Sequence, residues 1–178
     1  MAPYPPLMRW LHWFTAFLVL VQLSFVLLNR AVYEVYPVLS EVLIQAHISL
    51  GALILGVTLL RFGVRQWSNV SLAPTRPFVR RAARSMHLTL YVLLCVLPVI
   101  GYAHLALLGF DLRLFGIVSL PGLPFNPALA QTASLLHSSA GLLLGALILL
   151  HVLAARFHSK LDGKPVLRRM LPTAKVRN

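Results

Sequence analysis

Four histidines, His12, His47, His137 and His151, lie inside apolar runs long enough to cross a bilayer, and they fall at two depths. An imidazole in hydrocarbon is costly unless it pairs with something, so histidines placed this way point to a bound group. His137 and His151 are separated by two heptads of a single run, about 21 Å along a helix axis and nearly on one face. One helix can therefore offer a ligand at each of two levels. With helices that alternate in direction, His12 is level with His151 and His47 is level with His137. Each pair can supply two axial imidazoles to a haem b, with Ser49, Gly51, Ser138, Ser139, Gly141 and Gly145 leaving room beside the rings. Iron filled on both axial faces has no vacant position for oxygen chemistry, which favours electron transfer. His87 shares the first level and His104 the second, so depth alone leaves three candidates for two places in each layer. A histidine near an interface is more often a polar anchor than a ligand. The level pairing is what argues for a bound group, although a proton-relay transporter would use similar residues.

The elements that must position these rings follow from composition. The chain has 178 residues, 58% hydrophobic and 11% charged, with mean hydropathy +0.80, which excludes an ordinary soluble domain. Leucine-rich runs predict membrane spans over 9–28, 41–62, 85–108 and 132–155, each about the 20 residues that a crossing helix needs. The expected fold is all-α and integral to the membrane: one domain over 1–178, a four-transmembrane-helix bundle enclosing two haems b. The first run reads as a retained helix rather than a signal peptide. Residues 68–77, with Asn69, Ser71, Pro74 and Pro77, read as a surface loop. Pro121, Gly122, Pro124, Asn126 and Pro127 interrupt 109–131, the longest connection, which is placed to cover a site. Trp10 and Trp13 read as an interfacial aromatic belt.

Charge predicts the orientation. Arg9, Arg61, Arg65, Arg76, Arg80, Arg81, Arg84, Arg156, Lys160, Lys164, Arg168, Arg169, Lys175 and Arg177 fall on the side of the chain termini, leaving only Arg30 and Arg113 opposite. Basic residues collect in cytoplasmic loops, so both termini are expected in the cytoplasm. The net charge of +12 is thus a topology signal, and because the basic residues flank apolar spans, no nucleic-acid partner is expected. Cys95 is the single cysteine, which excludes an intramolecular disulfide, and with no C-x-x-C-H motif any haem is held non-covalently.

Arg9-Trp10-Leu11-His12-Trp13, His47 with Gly51, Arg61 and Arg65, His87 with Tyr91, Pro98 and Gly101, then His137, His151, His158 and the ending Leu167-Arg168-Arg169-Met170-Leu171-Pro172 follow in an order that resembles the bacterial cytochrome b561 family over nearly the whole chain. That resemblance implies a bacterial inner membrane, His12 with His151 as the iron ligands of a cytoplasmic-side haem, and His47 with His137 as those of a periplasmic-side haem. It favours neither His87 nor His104 as a ligand, and leaves His104 as a polar group near the outer haem or loop. Compact stand-alone members are similar to superoxide:ubiquinone oxidoreductases, which take electrons from superoxide outside and reduce ubiquinone with cytoplasmic protons. Arg76 matches a basic position of the family. With His87 and His158 near the same surface, it is a candidate for a quinone or proton site, against a plain role in anchoring lipid phosphate. Arg61 and Arg65 are candidates for haem propionate contacts, since guanidinium binds carboxylate strongly, with solvated interfacial arginines as the alternative.

Three functions are consistent with these residues. The first is a dihaem conduit oxidising superoxide and reducing ubiquinone. The second is a haem b subunit fed by a separate dehydrogenase, hydrogenase or reductase. The third is a haem-free proton-coupled transporter or assembly factor. A positive outer funnel would steer superoxide, yet the outer side sets Arg30 and Arg113 against Glu34, Glu41 and Asp111. A reduced-minus-oxidised optical spectrum of the purified protein should show two low-spin b haems per chain. A haem-free spectrum would leave only the third function.

Overall fold

Each of the four long helices begins on a proline: α1 Pro6–Val32, α2 Pro37–Trp67, α3 Pro77–Leu107 and α4 Pro127–Leu161. Proline suits the first helical position, because its missing N–H would be unsatisfied there and its φ is already helical. The computed structural model describes residues 4–68, 77–161 and 170–171, with the side chains of 158–161 excepted. All four helices are long and apolar enough to cross a membrane, so the protein is a multi-pass membrane protein. The helices outrun the expected spans at most ends, because hydropathy marks only the part in hydrocarbon whereas the helix runs on until a proline or turn stops it. Pro127, expected to interrupt the 109–131 connection, instead starts α4, and Asn126 caps it by accepting the Leu129 N–H at 3.1 Å.

Three residues, 34–36, follow Tyr33 between α1 and α2, which forces these neighbours to run antiparallel. The tail also returns to the start of α1: the Arg9 guanidinium donates to the Leu171 carbonyl at 2.9 Å and the Trp13 indole to Met170 at 2.7 Å. Arg9, counted with the basic residues on the side of the termini, is buried, and Trp13 gives its N–H to the tail. Lipid-facing apolar side chains dominate the outside, as they must where the solvent is hydrocarbon. The core is correspondingly small. Leu18 and Val19 of α1 meet Ile54 of α2, with Leu50, Leu53, Val57, Leu94 and Ile148 packed around them.

The α3–α4 connection contains a feature that hydropathy did not reveal, a short antiparallel hairpin of β1 (Arg113–Leu114) and β2 (Val118–Ser119). Its turn closes through the Ile117 N–H on the Leu114 carbonyl, and both central residues are left-handed, Phe115 at φ 53° and Gly116 at φ 70°. That conformation is free for glycine but strained for phenylalanine, so something must hold Phe115 there. Ser49 on α2 does so: its hydroxyl accepts the Phe115 N–H at 2.8 Å while donating to the Gln45 carbonyl at 3.0 Å. Ser49→Ala removes this tie, worth about 1 kcal/mol. Amide exchange and proteolysis across 113–119 should accelerate while protection of the four helices is unchanged.

Candidate functional site

The bundle gathers its histidines in two layers. At the end that carries the chain termini, His12 of α1 and His151 of α4 face each other with ring centroids 6.5 Å apart and planes at 67°. At the other end, His47 of α2 and His137 of α4 stand 6.0 Å apart at 73°. Two imidazoles bound to opposite faces of one metal have centroids a little over 6 Å apart, from two metal–nitrogen bonds of about 2 Å and about 1.1 Å from each ring centre to its nitrogen. Both pairs meet that spacing. His87, the third histidine of the first layer, lies only 5.3 Å from His151, too close for a metal between them. His104 is tied elsewhere, its Nδ1–H donating to the Ala130 carbonyl at 3.0 Å, where it joins the end of α3 to the first turn of α4.

Local packing orients the second pair. His137 donates from Nδ1 to the Leu97 carbonyl at 3.1 Å, which commits that nitrogen and leaves Nε2 to act as a ligand. Leu97 sits beside Pro98, the proline inside α3, and one turn on is Gly101. A Cβ at Gly101 would fall 2.8 Å from His137 Cε1 and 3.0 Å from Nδ1, so the glycine is what lets the ring lie against α3. The opposite ligand is fixed from α1, where Gln22 Nε2 donates to the His47 carbonyl at 2.9 Å.

Beside the first layer, the guanidiniums of Arg61 and Arg65 lie over the Tyr91 ring, 5.3 and 5.9 Å from its centroid, and Phe62 meets its edge. Cation–π contact holds the two arginines but does not neutralise them. The chain has four acidic residues: Glu34 and Glu41 flank the α1–α2 connection at the far end, Asp111 precedes the hairpin there, and Asp162 lies outside the described residues. Two cations, Arg61 half-buried and Arg65 exposed, with an adjacent phenol form a site for an incoming carboxylate. Arg76 lies outside the described residues. The backbone of His158 continues α4, and its side chain is likewise outside them. Cys95 is a half-buried free thiol.

The residues present fit a haem. His12 Nδ1 and Tyr91 Oη in the first layer, and His47 Nδ1, Gln22 Oε1 and Gln45 Oε1 near the second, are buried without a hydrogen-bond partner. Buried polar atoms are nearly always satisfied, so these mark the parts of the bundle that settle fully only when a further group is bound. Along the α4 face that carries His137 and His151, a Cβ at Gly141 or Gly145 would meet nothing within 4 Å. That strip is room for a large flat group. Among the described residues no three His, Cys, Asp or Glu side chains come together to hold a bare ion, so the donor set is one of facing pairs.

The prokaryotic cytochrome b561 family matches residues 3–173. The chain is also similar to cytochrome b561 homolog 1 of Escherichia coli (strain K12), with 26% identity over 174 residues, covering 93% of this chain and 95% of that protein.

Sequence reasoning passed over Gln22 and the Leu97 carbonyl. A glutamine in the run Val19-Leu20-Val21-Gln22-Leu23 was a legible signal, whereas a backbone acceptor leaves none. Gly101→Ala should push the His137 ring off the Leu97 carbonyl and lower haem content toward one per chain. Gly56→Ala, whose Cβ meets nothing within 4 Å, should leave haem content unchanged. Pyridine haemochrome assay of both variants checks this.

Proposed function

The chain belongs to the prokaryotic cytochrome b561 family, transmembrane b-type cytochromes for electron transfer, and from that premise we propose that it carries two haems b and conducts electrons from superoxide on one side of the membrane to ubiquinone on the other. The observation that carries this reading is the occurrence of two facing imidazole pairs, at 6.5 and 6.0 Å, on a bundle whose shared helix α4 spaces them along the membrane normal. His12 and His151 hold one haem and His47 and His137 the other. Once bound, these groups supply reversible one-electron storage at two depths. The polypeptide holds the rings in register, and two imidazoles on each iron would leave no vacant position for oxygen.

The basic residues on the side of the termini support a reading in which the His12–His151 layer lies at the cytoplasmic face of a bacterial inner membrane and the hairpin outside. Arg61, Arg65 and Tyr91 receive a haem propionate there. His87, nearer to His151 than two rings on one metal would stand, is available in this reading with Arg76 and His158 to hydrogen-bond a quinone carbonyl and pass it protons. Superoxide yields one electron and leaves as oxygen. Two such donations and two cytoplasmic protons convert one ubiquinone to ubiquinol, and two storage levels suit that two-for-one exchange.

A second reading has its own observation. Arg113, one of two basic residues on the outer side, is neutralised by Asp111 through bonds of 3.0 and 2.8 Å, and the hairpin tip beside it exposes Phe115 and Ile117. An apolar, uncharged tip suits docking of an electron-donating protein better than capture of an anion. Family membership sets aside the haem-free transporter reading.

Two measurements test the proposal. Alanine at His12 or His151 should remove mainly one haem and alanine at His47 or His137 mainly the other, read as low-spin haem per chain. Full retention of two normal haems in any variant overturns the ligand assignment. Wild-type protein with a soluble ubiquinone analogue should reduce it when superoxide is generated, with no added protein. If superoxide leaves the haems oxidised while a membrane extract reduces them, the chain is a partner-fed subunit.

A further inference from the structure

The polar residues inside α1 do not behave alike. Thr15 and Ser24 turn back on their own helix, donating to Leu11 and Leu20 one turn earlier at 2.7 and 2.9 Å. Gln22, between them, reaches across to α2 and donates to the carbonyl of His47 itself. Gly51, one turn beyond His47, lies beside this contact, and a Cβ there would sit 3.5 Å from Gln22 Nε2, at ordinary contact distance. A carboxamide is expensive in hydrocarbon, and an apolar residue would pack α1 on α2 at lower cost.

The bond uses half of the carboxamide. Gln22 Oε1 is buried without a partner, and so is His47 Nδ1. One is an acceptor and the other, in the tautomer that presents Nε2 to a metal, is a donor. Both belong to the residue pair that the 2.9 Å bond already joins. Across the layer, His137 Nδ1 has its acceptor in the Leu97 carbonyl. Metal-bound imidazoles nearly always donate their other N–H, and the strength of that acceptor sets how strongly the ring donates to the metal. His47 lacks such an acceptor on its own helix, and Gln22 carries the spare one.

We propose that Gln22 is the positioning residue of the outer pair, clamping the His47 backbone through Nε2 and accepting the His47 Nδ1–H at Oε1, by a small rotation of the ring or through one bridging water. The outer haem's potential is then set by a side chain of α1, the helix that contributes its ligand to the other layer. This inference rests on the two-haem reading above. There are two rival acceptors: Gln45 Oε1, also buried and unpartnered but turned toward another face of α2, and the Gln22 backbone carbonyl, which faces the His47 ring and is kept when the side chain is replaced.

The test is a haem-resolved redox titration, with the low-spin electron paramagnetic resonance signal of each haem, on detergent-purified protein reconstituted with haem b. In Gln22→Leu the acceptor is gone, His47 donates less strongly, and the outer haem should become easier to reduce by about tenfold, or about 59 mV for one electron. The inner haem should not move. Gln22→Glu retains an acceptor oxygen and should hold the outer midpoint at or below the wild-type value. Gln45→Leu should leave both midpoints in place. The inference is overturned if Gln22→Leu leaves the outer midpoint and signal unchanged, if it shifts both haems equally as general loosening would, or if Gln45→Leu produces the shift instead. A wild-type protein with a single haem would instead refute the two-haem reading on which this rests, and the wild-type titration separates the two failures.

Discussion

An imidazole has to be paid for in hydrocarbon, and a facing pair of imidazoles about 6 Å apart recovers that cost only if a metal sits between them. This requirement accounts for much of the bundle. It calls for antiparallel neighbours, so that residues near the start of one helix meet residues near the end of another. Glycine is needed where a ring must lie flat on a helix, as at Gly101. Backbone bonds serve to lock ring orientation, as the Leu97 carbonyl does for His137. Helix α4 bears most of the burden, since it supplies one ring to each layer and the open strip at Gly141 and Gly145 between them.

The ends of the bundle are closed by different means. On the side of the termini, Arg9 and Trp13 hold Leu171 and Met170 by their carbonyls, tying the tail to the turn of α1 that carries His12. On the other side, the hairpin is anchored by Ser49, two residues past His47. Each closure is attached to a helix that bears a histidine of the layer it borders, so a disturbance of either is felt at a ring rather than in a distant loop.

The existence of four spanning helices and the level pairing of the histidines were legible in the sequence, because both rest on one-dimensional quantities, apolar run length and residue count along an axis. The choice between His12 and His87 was not, since both occupy one depth and differ only in lateral distance from His151. Arg9 was legible only as a topology charge for a related reason: hydropathy sees its type, not the carbonyl of Leu171 that receives it. Helix starts were underrun because Pro77 and Pro127 were treated as breaks when they are starts. The hairpin escaped notice because its strands are two residues each and its turn carries a left-handed phenylalanine that no turn rule anticipates.

The aliphatic cluster of Leu18, Val19 and Ile54, with Leu50, Leu94 and Ile148 against it, falls between the two histidine layers on every helix that contributes to it. It offers no hydrogen-bonding atom by which water or a proton could pass. An electron moving between the layers therefore travels without a compensating proton and displaces net charge along the membrane normal. Such a displacement is coupled to the transmembrane voltage, at about 2.3 kcal/mol per elementary charge per 100 mV for a full crossing. With a haem in each layer, transfer across the plug would be electrogenic, and the energisation of the membrane itself would become a brake or an accelerator on turnover, according to the direction of flow.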